Sequence, residues 1–308
     1  MAVIVKVNET ESLKLSSGTV AGFSVVAFLE QTAVNTPFAA DQLDLSELNL
    51  KCVLKRNGVQ ETLFQDIAVP LVAISNYDRS GFVHLASDTV HYKTILAHGI
   101  ATKAQAIVPF VIDLGGVLNL KGGDELIFMV QPKNGVFAAA INSSTSFFEF
   151  DVIRGIGVES YIPYIKTESI TAGKGQDTFS IGDNVKQIMF VNADKTGVLD
   201  ADQVIQNFDL SSDKLSFSDT YRQLQAKRDA SFATKEQSDA RRQTFLLFED
   251  EQDIDQVNIE LQFVGANVNT SKNWIVYRSF RTNAEKVIYA AQKQAEHAQE
   301  NLVKLASK

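Results

Sequence analysis

The sequence predicts an all-β protein built from two sandwich-like units in tandem, and three observations carry that expectation. The first is the stretch Ile107 to Val130, IVPFVIDLGGVLNLKGGDELIFMV, in which apolar runs are cut by Gly115-Gly116 and Gly122-Gly123. Each pair is a turn candidate, because glycine accepts positive φ without penalty. The second is an echo of this stretch at Thr244 to Val264, where Val257, Ile259, Leu261 and Phe263 alternate with polar residues. The third is that the echo extends upstream. Asn49 to Arg56 (NLKCVLKR) resembles Lys186 to Ala193 (KQIMFVNA). Ser87-Asp88-Thr89 and Ser218-Asp219-Thr220 each precede a candidate short helix. The offsets agree at roughly 130 to 137 residues, about one sandwich domain.

The chain has 308 residues, enough for two ordinary domains. It is 45% hydrophobic and 21% charged, too apolar for disorder. A net charge of −8 argues against a nucleic-acid binder, whose footprint is basic. Phe is abundant at 20 residues and Pro sparse at 5, which suits strands with aromatic cores. The single cysteine, Cys52, excludes an intramolecular disulfide framework. The segment MAVIVKVNETE has neither the basic region nor the apolar core of a secretory signal. No apolar run is long enough to cross a bilayer as a helix. The expectation is synthesis and folding in a cytoplasm.

Met1 to Asn8 reads as a strand or an arm, and Val20 to Glu30 as a strand. Leu48, Leu50, Cys52 and Leu54 alternate with Asn49, Lys51, Val53 and Lys55, the period of a half-buried strand. Cys52 lies on the apolar face and reads as a small buried hydrophobe. Asn57-Gly58 then predicts a hairpin into Val59 to Phe64. Asp66 to Ser75 (DIAVPLVAIS) is apolar, but Pro70 demotes it to an edge, a bulge or a connection. Leu126 to Val130 is continuously apolar and is expected to bury both faces. Asn134-Gly135 predicts a turn joining Leu126–Gln131 to a strand at Val136–Ile141, and Phe147 to Ile153 closes the first unit.

Arg154-Gly155-Ile156-Gly157 marks the boundary, giving units at 1–155 and 156–282. Tyr161 to Ile170 opens the second unit, and the Thr171 loop with Gly173 and Gly175 reads as a hairpin rather than a phosphate cradle. Ser211 to Gln243 is polar and charged, and surface helices or a long excursion are expected there. Asn273 to Arg281 is the last strand. Thr282 and Glu285 then form a T-x-x-E capping box, opening a helix over 283–308. Its apolar positions, Val287, Ala291, Ala295, Ala298, Leu302 and Leu305, share one narrow face.

No catalytic, cofactor-binding or metal-binding residue set stands out. His84, His91 and His98 recur every seven residues, not at the i, i+4 spacing of a helical zinc site. Glu249, Asp250, Glu251, Asp253 and Asp255 crowd one turn and leave two readings open, a solvated acidic turn or a calcium site without the EF-hand pattern. No G-x-S-x-G elbow occurs, and one cysteine with scattered histidines is no dyad.

Two tandem sandwiches without disulfides or catalytic motif, with short helices between strands, resemble the double jelly-roll major capsid proteins of tailless icosahedral viruses with an internal membrane. The match lies in the paired runs Asn49–Arg56 with Lys186–Ala193 and Asp124–Gln131 with Val257–Val264, and in the helix candidates after Ser87 and Ser218. It covers Ala2 to Arg281 and is architectural, so no site residue is carried over. The length is closest to the compact versions of lipid-containing bacteriophages, such as the one infecting Flavobacterium. The resemblance implies two eight-stranded jelly rolls with short inserted helices and a C-terminal helix. It further implies a homotrimeric, pseudo-hexagonal capsomer in a virion, with no enzymatic role and no direct nucleic-acid contact. Its partners would be neighbouring capsomers, other shell proteins and, through residues 283–308, the internal membrane. The rival readings are a two-jelly-roll peptide N-glycosidase, which needs a carboxylate cluster between its units, and a carbohydrate-binding or host-attachment module, for which Trp274 is the only tryptophan.

Overall fold

The structure is a computed structural model. It describes residues 2–32, 42–80, 98–100, 103–157, 159, 161–170, 175–192, 205–220, 223, 244–247, 255–263 and 273–282. The first unit contains β1 (Val3–Val5), β2 (Glu11–Leu15), β3 (Gly18–Glu30), β4 (Leu48–Arg56), β5 (Val59–Ile67), α1 (Ala68–Ser80), β6 (His98–Ile100), β7 (Lys103–Leu120), β8 (Glu125–Pro132) and β9 (Phe147–Arg154). The second contains β10 (Tyr161–Ser169), β11 (Gln176–Gly182), β12 (Val185–Asn192), β13 (Ile205–Ser211), β14 (Ser216–Thr220), β15 (Thr244–Leu247), β16 (Val257–Phe263) and β17 (Asn273–Thr282).

These strands form four antiparallel sheets, and no sheet mixes the two sets. The orders are β1-β9-β3-β7-β6 and β2-β8-β4-β5 for the first set, and β10-β17-β12-β15 and β11-β16-β13-β14 for the second. With the short β6 set aside, strands ranked by position in their unit run 1-8-3-6 and 2-7-4-5 both times. That order is the jelly roll, which closes two packed sheets over one core. The fold is therefore a double jelly roll.

Alternation explains the cores. Leu48, Leu50, Cys52 and Leu54 of β4 are all buried, as are Val257, Ile259, Leu261 and Phe263 of β16. In the first unit Phe128 stacks on Phe23 at 4.0 Å and meets Phe64 and Phe150 edge-on at 6.2 and 5.5 Å. Such ring geometry adds about 0.5–1.5 kcal/mol per pair beyond the area buried. In the second unit Phe190 and Phe208 meet edge-on.

Several expectations are corrected. β8 alternates, with Leu126, Phe128 and Val130 inward and Ile127 and Met129 half-buried outward, so one face rather than both enters the core. Asn57 and Gly58 both take positive φ, and β4 and β5 do form the expected hairpin. Gly122-Gly123 is a turn, but Gly115-Gly116 lies inside β7. There the register against β3 jumps from Val20–Leu118 to Gly22–Asp113, so the second glycine-rich site is a bulge. The Asn134-Gly135 turn is present, with Val136 N–H donating to Lys133 O at 3.1 Å. Beyond it, Val136–Ile141 makes only isolated bridges at Phe137 and Ile141 instead of a strand.

The apolar segment with Pro70 is a helix, α1, with Pro70 in its first turn, where proline is tolerated. The glycine loop before β11 is not a hairpin, because β10 and β11 belong to different sheets. Ser216–Thr220, within the Ser211–Gln243 stretch expected to hold surface helices or a long excursion, pairs with β13 as an edge strand. The proposed echo of Asn49–Arg56 in Lys186–Ala193 is out of step: β4 is fourth in its unit, whereas β12 is third. The echo of Asp124–Gln131 in Val257–Val264 does align, both being the seventh-ranked strand. The helix candidate after Ser87 lies outside the described residues apart from His98-Gly99, which are strand. After Ser218, Thr220 and Gln223 exchange hydrogen bonds at 3.1–3.2 Å and Gln223 is helical, the reciprocal pattern of a helix start. The helix expected over 283–308 lies outside the described residues.

Candidate functional site

The seam between the two jelly rolls holds a cluster of buried polar residues. The outer face of the β10-β17-β12 sheet carries Ile165, Gln187, Met189, Val276 and Arg278. All are buried, and Ile165, Met189 and Val276 join the first unit's hydrophobic core. Polar residues on an outer sheet face are buried only when something covers that face. Here the cover is the open edge of the first unit, β5 and β7, together with α1.

Arg278 is the centre of this seam. It is 2% exposed, and its Nη2 donates to the Asp113 carbonyl at 2.7 Å. Burial pulls its pKa down to about 9, so it remains charged at neutral pH. The β7 bulge brings Gly115 against it: a Cβ on Gly115 would lie 2.6 Å from Arg278 Nη1. The bulge is held from the other side by Ser75 of α1. The Ser75 hydroxyl donates to Leu71 O at 2.6 Å and accepts from Asp113 N–H at 2.9 Å.

A second cluster pins the connection between units. Arg56, at the end of β4, donates to Glu159 at 2.6 and 3.1 Å, to Asp124 at 3.0 Å and to Asn119 O at 2.8 Å. Glu159 also accepts from Asn119 N–H at 2.7 Å. Burial works against the Arg56 charge, but the hydrogen bonds and charges of Glu159 and Asp124 outweigh it and raise the guanidinium pKa. The segment leaving β9 is thus tied back to the first unit by a bidentate, mostly buried ion pair.

Beside the seam lies a polar cleft of about 500 Å³, lined in part by Glu61, Tyr164, Lys166 and Asp183. Both carboxylates are engaged in structure. Glu61 accepts from the Tyr164 hydroxyl at 2.6 Å, across the two units. Asp183 accepts from Gln256 N–H at 2.9 Å. Both hydrogen bonds brace the fold, Glu61 to β10 across the units and Asp183 to the residue before β16.

Of the residues singled out from sequence, Cys52 is fully buried, and burial pushes its thiol far above the ordinary range, so it is inert. His84 and His91 lie outside the described residues, and His98 is on β6. Of the acidic turn, residues 249–254 lie outside the described residues. Asp255 accepts from Asn184 N–H at 2.8 Å and donates its own N–H to Asp213 at 2.9 Å, stitching loops together. Among the described residues, no group of three or more His, Cys, Asp or Glu is arranged to hold a metal ion, and no helix is long and apolar enough to cross a membrane. Trp274 is on β17, opposite Ser169. Sequence reasoning missed Arg278, Glu159 and Ser75, whose roles come from partners distant in the chain.

No protein-family model and no curated protein matches the sequence. Solved structures do resemble it. The crystal structure of the STIV MCP matches at 11% identity over 92% of this chain and 95% of that one, with a TM-score of 0.54. The chain in the atomic structure of Sulfolobus turreted icosahedral virus matches at 12% identity over 97% and 94%, with a TM-score of 0.55. The major capsid protein P2 of bacteriophage PM2 matches at 9% identity over 92% and 98%, with a TM-score of 0.40. A peptide-N(4)-(N-acetyl-β-D-glucosaminyl) asparagine amidase also matches, at 10% identity over 91% and 96% with a TM-score of 0.31. The chain has the double jelly-roll fold that it shares with the two Sulfolobus turreted icosahedral virus structures.

Proposed function

We propose that this protein is the major capsid protein of an icosahedral virus and acts by geometry, without catalysis. Residues 1–155 and 156–282 form the two jelly rolls of a shell-building unit. Three copies form a pseudo-hexagonal capsomer, and capsomers tile a shell over an internal membrane in the virion, after synthesis in the host cytoplasm. Residues 283–308 tie the capsomer to its neighbours or to that membrane.

The observation that carries this reading is the seam. Two units of one topology stand side by side, the outer sheet face of one against the open edge of the other, with a continuous apolar core between them. Such a rigid pair supplies two of the six positions of a hexagonal tile, and three-fold symmetry supplies the rest. Light scattering of the purified chain at micromolar concentration tests it. The expected mass is that of three copies of the 33.9 kDa chain. A monomer throughout that range refutes the capsomer.

A further inference from the structure

We infer that the outer face of the first unit's β1-β9-β3-β7 sheet is the surface on which a second copy of this chain docks, through the β14–β15 edge of that copy's second unit. The inference rests on the capsomer reading and assigns the residues that make the ring close.

The starting point is the repeat of topology. Inside one chain, the second unit offers the outer face of its 1-8-3 strands (β10, β17, β12), and the first unit offers its five-and-six edge (β5, β7). The first unit owns the equivalent of that face, and the second unit owns the equivalent of that edge. Among the described residues, neither packs extensively against the other unit. A contact of the same kind between copies joins them head to tail, and heterologous contacts either close into a ring or run on as a filament. With two equivalent units per chain, three chains close six positions.

The face has the composition this requires. Phe28 of β3 stacks on Phe147 of β9 at 4.8 Å, and Phe28 pairs with Ile107 of β7 on its other side. In the next row Val26 pairs with Pro109 and Glu149, and Glu149 with Ile4. Pro109 is exposed and Ile4 is 54% exposed. A groove of about 280 Å³ runs along Phe28, Ile107 and Phe147, with Glu30 and Gln105 among its lining. Rows of large apolar side chains on an outer sheet face mark a covered surface. On the second unit the corresponding face is covered, and there Met189 and Val276 are fully buried.

Two measurements on the full chain test this. First, Phe28→Asp with Ile107→Asp is expected to leave the far-UV spectrum unchanged and reduce the trimer to monomer by light scattering. Ile127→Asp, on the outer face of the other sheet, is expected to leave the trimer intact. Second, Cys52 is buried and silent to reagents, so single cysteines report locally. In the trimer, Pro109→Cys and Ile4→Cys are expected to react with a maleimide at least tenfold more slowly than Val59→Cys, which sits at an exposed hairpin. A double variant that still forms trimers overturns the assignment and leaves the capsomer reading standing. So does equal reactivity of the three cysteines, or equal disruption by Ile127→Asp. If the double variant does not fold, the cysteine rates decide. If deleting residues 283–308 exposes Pro109→Cys in a persisting trimer, the tail is the occupant and the assignment falls. A wild-type monomer removes the capsomer reading itself.

Discussion

Replacing Gly115 by alanine probes the seam at its tightest point. Gly115 has φ +72, so any side chain there takes the left-handed conformation, at about 1–2 kcal/mol. The new Cβ would also lie 2.6 Å from Arg278 Nη1, 2.9 Å from Cζ and 3.1 Å from Cδ. Ordinary contacts are about 3.5–4 Å, so the guanidinium must retreat by roughly 1 Å. It is fully enclosed and cannot swing into water. Its bond to the Asp113 carbonyl is the contact most exposed to that retreat, and a hydrogen bond from a charged donor contributes about 1.5–3 kcal/mol. Gly115→Ala is therefore expected to cost about 2.5–5 kcal/mol. In an Arg278→Ala background, which removes Cδ and the guanidinium together, only the backbone cost remains, about 1–2 kcal/mol. Urea unfolding of the four proteins of this cycle, followed by far-UV circular dichroism, gives the coupling. A loss for Gly115→Ala below about 0.5 kcal/mol, or the same loss in both backgrounds, refutes the description of the seam.

Three further outcomes are expected. Phe128→Ala removes the ring shared by Phe23, Phe64 and Phe150 and should cost about 3–5 kcal/mol by the same unfolding assay; a loss under about 1 kcal/mol contradicts its central packing. Glu159→Ala removes the bidentate partner of Arg56, leaving it Asp124 and the Asn119 carbonyl, and unties the connection after β9, so limited proteolysis should cut in that connection several-fold faster than in the wild type, with unchanged cutting as the contrary result. Burial, with Glu168 nearby, pushes the Tyr277 hydroxyl up to about 12. Its folded pKa thus exceeds its unfolded value near 10. Its contribution to stability is complete below that value and is lost as pH rises from about 10 through 12. Ultraviolet titration should show a late tyrosine that Tyr277→Phe removes, and a late phase that survives Tyr277→Phe unchanged contradicts the assignment.

What could be read in the sequence was whatever local pattern alone determines. Leu48 to Leu54 and Val257 to Phe263 alternate because one sheet face meets a core, and Asn57-Gly58 reverses the chain because both residues accept positive φ. The tandem architecture was legible for the same reason, although one of its echoes matched strands of different rank. α1 was not legible. A continuous apolar run has no period to distinguish a doubly covered helix from a strand, and Pro70 argued against a strand without indicating a helix. β14 was missed because an edge strand with exposed Ser216, Ser218 and Thr220 has no apolar face to announce it. Arg278 and Glu159 look like ordinary surface charges in sequence. Their burial follows from partners more than one hundred residues away, at Asp113 and Arg56.

The proposed capsomer is a six-position ring of three chains with two equivalent jelly rolls each. Electron microscopy of the purified protein measures this most directly. The expected particles, seen end-on, are hexagons of six lobes with three-fold symmetry and alternate lobes distinguishable. Isolated two-lobed particles, or open chains of them, would contradict it.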